Sequence, residues 1–217
     1  MLKPIAAFLF ILVFNACHAQ TSKPKNVAIF IHQEVQLLDF SGPAEVFSDA
    51  GFTVYTVAVN TDPIKSQGFL KITPDYSIDN CPAPDIIVFP GGATNIPMAD
   101  PKIIEWVQKS SKNADYVLSV CTGALLLAKS GLLDGKTATT HYCCQDELAK
   151  YSKVTVVKGK RFVDNGKIIT TEGISAGIDG SLYLVSRING KEAADKTATY
   201  MMYDWKPEKL DVLIVSK

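Results

Sequence analysis

The sequence predicts a doubly wound α/β domain, a mostly parallel sheet flanked by helices. Three observations predict it. From Val27 onward, short β-rich apolar runs alternate with helix-like segments. Those runs are continuously apolar rather than alternating with polar residues, which requires burial on both faces of the sheet. With 47% hydrophobic and 20% charged residues over 217 positions, the composition is that of a folded globular chain of one ordinary domain.

Taken in order, Lys3 precedes an unbroken apolar run from Ile5 to Phe14, followed by Asn15-Ala16-Cys17-His18-Ala19-Gln20. A positive end, a short apolar stretch and small residues read as a secretory signal over residues 1–19. The run is well short of the ~20 residues that span a bilayer. Two processing outcomes stay open: cleavage after Ala19 to give a soluble chain beginning at Gln20, or lipid attachment at Cys17. Both predict export, to the periplasm or beyond. The folded domain is expected over 26–205, with a tail at 206–217. Strands are expected at 27–31, 53–59, 86–89, 116–120, 137–140 and 167–170. Helices are expected at 43–50, 103–111, 122–129, 147–151, 176–187 and 192–203, several ended by glycine, as at Gly51 and Gly131. Residues 153–164 suggest an antiparallel hairpin beside the main sheet, with Lys158-Gly159-Lys160 or Asn165-Gly166 at a turn. Leu210 to Val215 offers an edge strand. With 22 Lys+Arg against 22 Asp+Glu, no charge excess marks a binder of nucleic acid or of another polyanion.

Ligands of open α/β sheets bind outside the carboxyl ends of the strands. Beyond those ends the sequence places Asp39, the pair Gly91-Gly92, Cys121-Thr122 and His141. Cys121 falls between a buried strand and a helix opened by small residues, the geometry of a nucleophile elbow. A helix N-terminus favours the thiolate, so Cys121 is expected to be ionised and to react with alkylating agents ahead of Cys81, Cys143 and Cys144. The amide of Thr122 with that of Gly92 or Gly91 suggests an oxyanion site. Asp39 is read in the loop before a helix marked by Gly42-Pro43, either as a general acid or as a helix-end carboxylate. His141 is either a base or a pocket-lining residue. The remaining cysteines show no metal-ligand spacing. A bridge between the neighbours Cys143 and Cys144 is strained, leaving Cys81 as the favoured disulfide partner, or buried free thiols.

With these residues in place, the chain resembles the ThiJ/PfpI superfamily, the flavodoxin-like, class I glutamine amidotransferase-like fold, and within it the isonitrile hydratase branch. The resemblance rests on Leu37-Leu38-Asp39-Phe40-Ser41-Gly42-Pro43, Pro90-Gly91-Gly92, Val120-Cys121-Thr122-Gly123-Ala124, Gly131 through His141, and Ser175-Ala176-Gly177-Ile178-Asp179. It implies Cys121 as nucleophile, Asp39 as the carboxylate near its sulfur and Thr122 as an assisting residue. It also implies a small-molecule substrate, no metal or organic cofactor, and a homodimer. Protease-like members carry histidine directly after the cysteine, whereas Thr122 stands here. Sensor members append a helix-turn-helix domain, for which the stretch after Trp205 leaves no room. Glu172 departs from the glycine that hydratase-like chains tend to have there. The activities implied are hydration of an isonitrile, or glyoxalase-like chemistry on a small ketoaldehyde. A non-catalytic reading is a redox- or ligand-sensing protein that uses the same thiol.

Overall fold

The computed structural model describes residues 25–215; the expected signal at 1–19 lies outside the described residues. In chain order the elements are β1 (Asn26–Phe30), α1 (Leu37–Asp49), β2 (Thr53–Ala58), β3 (Ile64–Lys65), β4 (Lys71–Ile72), β5 (Tyr76–Ser77) and β6 (Ile86–Phe89). There follow α2 (Asn95–Met98), α3 (Pro101–Asn113), β7 (Tyr116–Val120), α4 (Gly123–Lys129), β8 (Thr137–Ala138) and α5 (Gln145–Leu148). Last come β9 (Thr155–Val156), β10 (Phe162–Asp164), β11 (Ile168–Thr171), α6 (Ala176–Asn189), α7 (Lys191–Tyr200) and β12 (Val212–Ile214).

Eight strands form the main sheet in the order β12-β10-β11-β7-β6-β1-β2-β5. Neighbours are parallel except β10 and β11, which pair antiparallel. Both faces are dry. Val27, Ile29 and Ile31 of the first strand region enter the core under α1, α6 and α7, while Ala28 and Phe30 enter the core under α3 and α4. That two-sided burial is why the runs are continuously apolar in sequence.

From β1 the chain first winds outward to β2 and β5, then crosses back to β6 on the other side of β1. The reversal opens a crevice at the carboxyl ends of β1 and β6, the topological switch point where doubly wound sheets bind ligands. Around it the loop after β1 is zipped to the loop after β6. Val35 and Gly92 form an antiparallel bridge, and Gln36 N–H donates to Gly91 C=O at 3.0 Å.

Three expectations are corrected. Helix α1 starts at Leu37, six residues before Pro43, and Pro43 lies buried inside it. Its missing N–H leaves one helix hydrogen bond unmade, and its ring packs near Gly177 of α6. Residues 137–140 add no strand to the main sheet: β8 pairs with β9 in a separate two-stranded sheet. Past β8, Thr139 N–H donates to Thr170 Oγ1 (3.0 Å) and the Thr140 hydroxyl donates to Cys121 C=O (2.8 Å), so this segment turns away to side-chain contacts. The hairpin expected over 153–164 beside the main sheet lies instead within it: it joins β10 to β11 through Asn165-Gly166, while β9 pairs with β8, and Gly166 takes φ +85° with its N–H donating to Asp164 Oδ1. The expected edge strand near 210–215 is β12, parallel to β10.

Candidate active site

Cys121 follows the buried strand β7 and takes φ +58°, a left-handed conformation that costs a non-glycine residue about 1–3 kcal/mol. Such an elbow aims the side chain across the sheet end instead of along it. It persists because its surroundings fix it. Cys121 N–H donates to Thr171 C=O (3.2 Å), and the Cys121 carbonyl accepts from Thr140. Gly173, at φ +85°, passes so close that a β-carbon there would collide with the Cys121 side chain. Thr140 and Gly173 are supports that sequence reasoning did not single out. Their signal was only position, directly beyond the segments that end at Ala138 and Thr171.

Asp39 occupies the first turn of α1 and is fully buried. Its Oδ2 accepts from Gly91 N–H at 2.9 Å. Oδ1 is buried without a formed hydrogen bond, although the Cys121 thiol sits close enough to ease the carboxylate's charge. That contact is longer or less aligned than a finished hydrogen bond, as catalytic pairs commonly are before substrate arrives. Burial pushes Asp39 up from 3.8 to about 7, against the Gly91 amide and the Cys121 thiol, which hold it down. Dehydration, not a neighbouring negative charge, is what raises it.

The state of Cys121 is corrected more strongly. The residue is only 6% exposed. Burial first, then the charge on Asp39, push its thiol well above the ordinary range, and only the Thr122 amide offsets them. At the start of α4 only the Thr122 amide favours the anion, and dehydration outweighs it. The resting group is therefore a neutral thiol beside a carboxyl group that titrates near neutrality. Below about 7 the pair holds two protons, and above it one, on the sulfur beside an ionised carboxylate.

The oxyanion expectation is also changed. Gly91 N–H is spent on Asp39, and Gly92 N–H donates to Thr122 Oγ1 at 3.0 Å. The Thr122 hydroxyl in turn donates to Gly92 C=O at 3.1 Å. Thr122 therefore fastens the Gly91-Gly92 loop to the elbow through its side chain, and its amide faces the sulfur. A side chain at position 91 would meet Thr122 Oγ1 at 2.6 Å and Asp39 Oδ2 at 2.8 Å, so only glycine lets the three approach. The two glycines build the site rather than donate to the substrate.

His141 is half-buried, and its Nδ1 lies 2.9 Å from Cys143 Sγ, not against Cys121. All four described cysteines are free. Cys143 and Cys144 neighbour each other, whereas Cys81 packs beside Trp106, so the structure does not pair Cys81 with either. Among the described residues no group of three metal-ligating side chains is arranged to hold a metal ion, and no helix is long and apolar enough to cross a membrane. A cleft of about 220 Å³ opens nearby at the ends of β1 and β2, lined by His32, Ile64, Ile96 and Pro97 among others, but not by Cys121 or Asp39.

A cysteine raised on a strained strand–helix elbow against a buried carboxylate, at the switch point of a parallel sheet, defines a class of α/β proteins built around one thiol. The chain matches the DJ-1/PfpI family over residues 25–187 and belongs to it. It is similar to the isonitrile hydratase of Pseudomonas putida, 34% identical over 179 residues, 82% of this chain and 78% of that one. It is also similar to the HTH-type transcriptional regulator GbdR of Pseudomonas aeruginosa, 22% identical over 85% of this chain but only 52% of the regulator. In structure it resembles a ThiJ/PfpI family protein from Pseudomonas syringae, TM-score 0.79 at 29% identity, covering 85% of this chain and 77% of that one.

Proposed function

We propose that the protein is a cysteine-dependent hydratase acting on a small, slender electrophile, with an isonitrile as the favoured substrate. The observation that carries this reading is the Cys121–Asp39 pair: a neutral, dry thiol beside a carboxyl group poised near pH 7. A cysteine only 6% exposed admits the narrow end of a molecule better than a branched carbonyl carbon. The similarity to an isonitrile hydratase supports the same choice.

In this reading Cys121 Sγ attacks the terminal carbon of R–N≡C. Asp39 takes the thiol proton and delivers it to that carbon, giving a thioimidate. Water then adds to the thioimidate carbon, and the carbon–sulfur bond breaks as the proton returns to sulfur, releasing an N-substituted formamide. Atoms balance as isonitrile plus water, and no external group is consumed. The chain is further proposed to be exported and to act as a homodimer, readable by the mass of the native N-terminus and by sedimentation.

The deciding experiment supplies purified protein with a small alkyl isonitrile and, separately, with methylglyoxal. Formamide production that requires Cys121 supports the reading. Lactate from methylglyoxal without formamide moves the function to a glyoxalase. Failure of both leaves the thiol as a sensor.

A further inference from the structure

A second thiol site stands on the rim of the molecule. Just past Thr140 the chain makes a single 3₁₀ turn over Tyr142–Cys144. This turn presents an imidazole and two thiols in a row: His141 Nδ1 is 2.9 Å from Cys143 Sγ, and Cys143 Sγ is 3.5 Å from Cys144 Sγ. Cys143 is exposed, while Cys144 is half-buried against the apolar layer under the sheet. We infer that His141, Cys143 and Cys144 form a peroxide-reactive dithiol, beside the Cys121 centre but not sharing its thiol, that closes reversibly to a Cys143–Cys144 disulfide.

The roles follow from the order of the groups. An exposed sulfur with a ring nitrogen in contact has an oxidant on one side and a base on the other, the arrangement that activates a thiol. Cys144 cannot lead. Burial, followed by its hydrogen bond to Cys143 and the charge there, pushes it up to about 11, so it keeps its proton until its neighbour has reacted. In the first step Cys143 Sγ attacks one oxygen of hydrogen peroxide, the S–O bond forming as O–O breaks. The proton taken by His141 leaves with the departing hydroxide as water. Sulfur is oxidised by two electrons and the peroxide reduced by two, leaving a sulfenic acid on Cys143. In the second step Cys144 Sγ attacks that sulfur, S–S forms, S–O breaks, and hydroxide leaves with the Cys144 proton as a second water. The sulfurs must close from 3.5 Å to a bond of ~2.0 Å within a small ring. A bridge between neighbours is strained, and strained, exposed disulfides are the easily reduced ones. Strain here therefore makes the bridge reversible by a small thiol.

Both cysteines fall in one tryptic peptide, Thr137 to Lys150, which makes the test direct. Full-length protein is treated with hydrogen peroxide, blocked with N-ethylmaleimide under denaturing conditions and digested. The expected peptide carries no maleimide and is lighter by two hydrogens, and prior reduction with dithiothreitol restores two maleimides. In the Cys144→Ser variant, dimedone should trap Cys143. With Cys81 as internal reference, adding His141→Asn should slow that labelling at least about tenfold, less than the ~10²–10⁴ a positioned base supplies in turnover, because a free thiol is already a few per cent thiolate near neutrality. Two maleimides on the peroxide-treated peptide, a bridge from Cys143 to any cysteine other than Cys144, or labelling indifferent to His141 would each overturn the inference. The wild-type peptide mass stands even if a variant folds poorly.

Discussion

The molecule carries two sulfur sites that meet opposite surroundings. At the elbow, Cys121 and Asp39 are both removed from water. The same dehydration that raises the carboxyl to about 7 raises the thiol further, so their acid–base behaviour belongs to the pair. At the rim, Cys143 lies in water with an imidazole beside it. One site has a strained backbone, a latch of hydrogen bonds and a guarded thiol, and the other has an exposed thiol on a single helical turn. Burial, more than the proximity of a base, decides what each cysteine does: the dry one waits for a substrate that fits, and the wet one meets whatever diffuses past.

The comparison breaks most sharply if Cys121 is dispensable. Cys121→Ser should lower isonitrile turnover roughly 10⁴–10⁶-fold, the scale on which loss of a covalent nucleophile is felt. Residual turnover within a factor of ten of wild type would shift the chemistry elsewhere.

Asp39→Asn keeps the shape and removes the carboxylate that takes up and passes on the thiol proton, so turnover should fall roughly 10²–10⁴-fold. In the wild type, kcat/KM should rise with pH through an apparent value of about 7, as the pair loses the proton that keeps Asp39 neutral. Stability should run the other way. Folding holds a proton on Asp39 that the unfolded chain gives up above 3.8, so stability falls as pH rises from there to about 7. Asp39→Asn is therefore expected to stabilise the protein at pH 8 by up to about 4 kcal/mol, on the scale of ~1.4 kcal/mol per pKa unit. Denaturation at pH 8 and at pH 4 should show the gain at the first and none at the second.

Thr122→Val removes the hydroxyl that holds Gly92 at both its N–H and its C=O. It leaves two backbone groups without their partner, and a cost of about 1–3 kcal/mol is expected in thermal or denaturant unfolding. A larger loss in kcat than in KM would mark the loop as a positioning device. Unchanged kcat would make it structural only.

The smallest effect sharpens the contrast. At neutral pH iodoacetamide should label Cys143 about tenfold or more ahead of Cys121, reversing the order expected from helix-end position alone, since reactivity follows exposure as well as thiolate character. Peptide mapping over a time course reads the order directly.

Much of the fold was legible because a two-faced sheet writes itself as uninterrupted apolarity: β1, β2, β6, β7 and β11 all begin within two residues of their expected starts. The start of α1 was not legible. Gly42-Pro43 is ordinarily punctuation, yet here both residues are buried inside the helix, packed against α6, which is remote in sequence. The strand over 137–140 failed for a related reason, since Thr139 and Thr140 are β-formers whose polar groups are claimed by Thr170 and Cys121. At the site, the residues that converge were readable from their places beyond the strands. Their protonation was not: position at a helix start argues for a thiolate, and burial, which a sequence does not print, argues more strongly against it. The adjacency of His141 and Cys143 was open to reading, because a two-residue spacing leaves them neighbours on any tight turn.

The fastening of the Gly91-Gly92 loop has a consequence for motion. Gly91 N–H points at a fully buried carboxylate and Gly92 N–H at a hydroxyl that also grips Gly92 from its carbonyl side. Neither amide can meet solvent unless the first turn of α1 or the start of α4 leaves the sheet. In deuterated water these two loop amides should exchange as slowly as the amides of β6 and β7, through opening events that approach global unfolding, although surface loops usually exchange through small local ones. By that measure the segment ahead of the sulfur is a part of the core that happens to lack regular secondary structure.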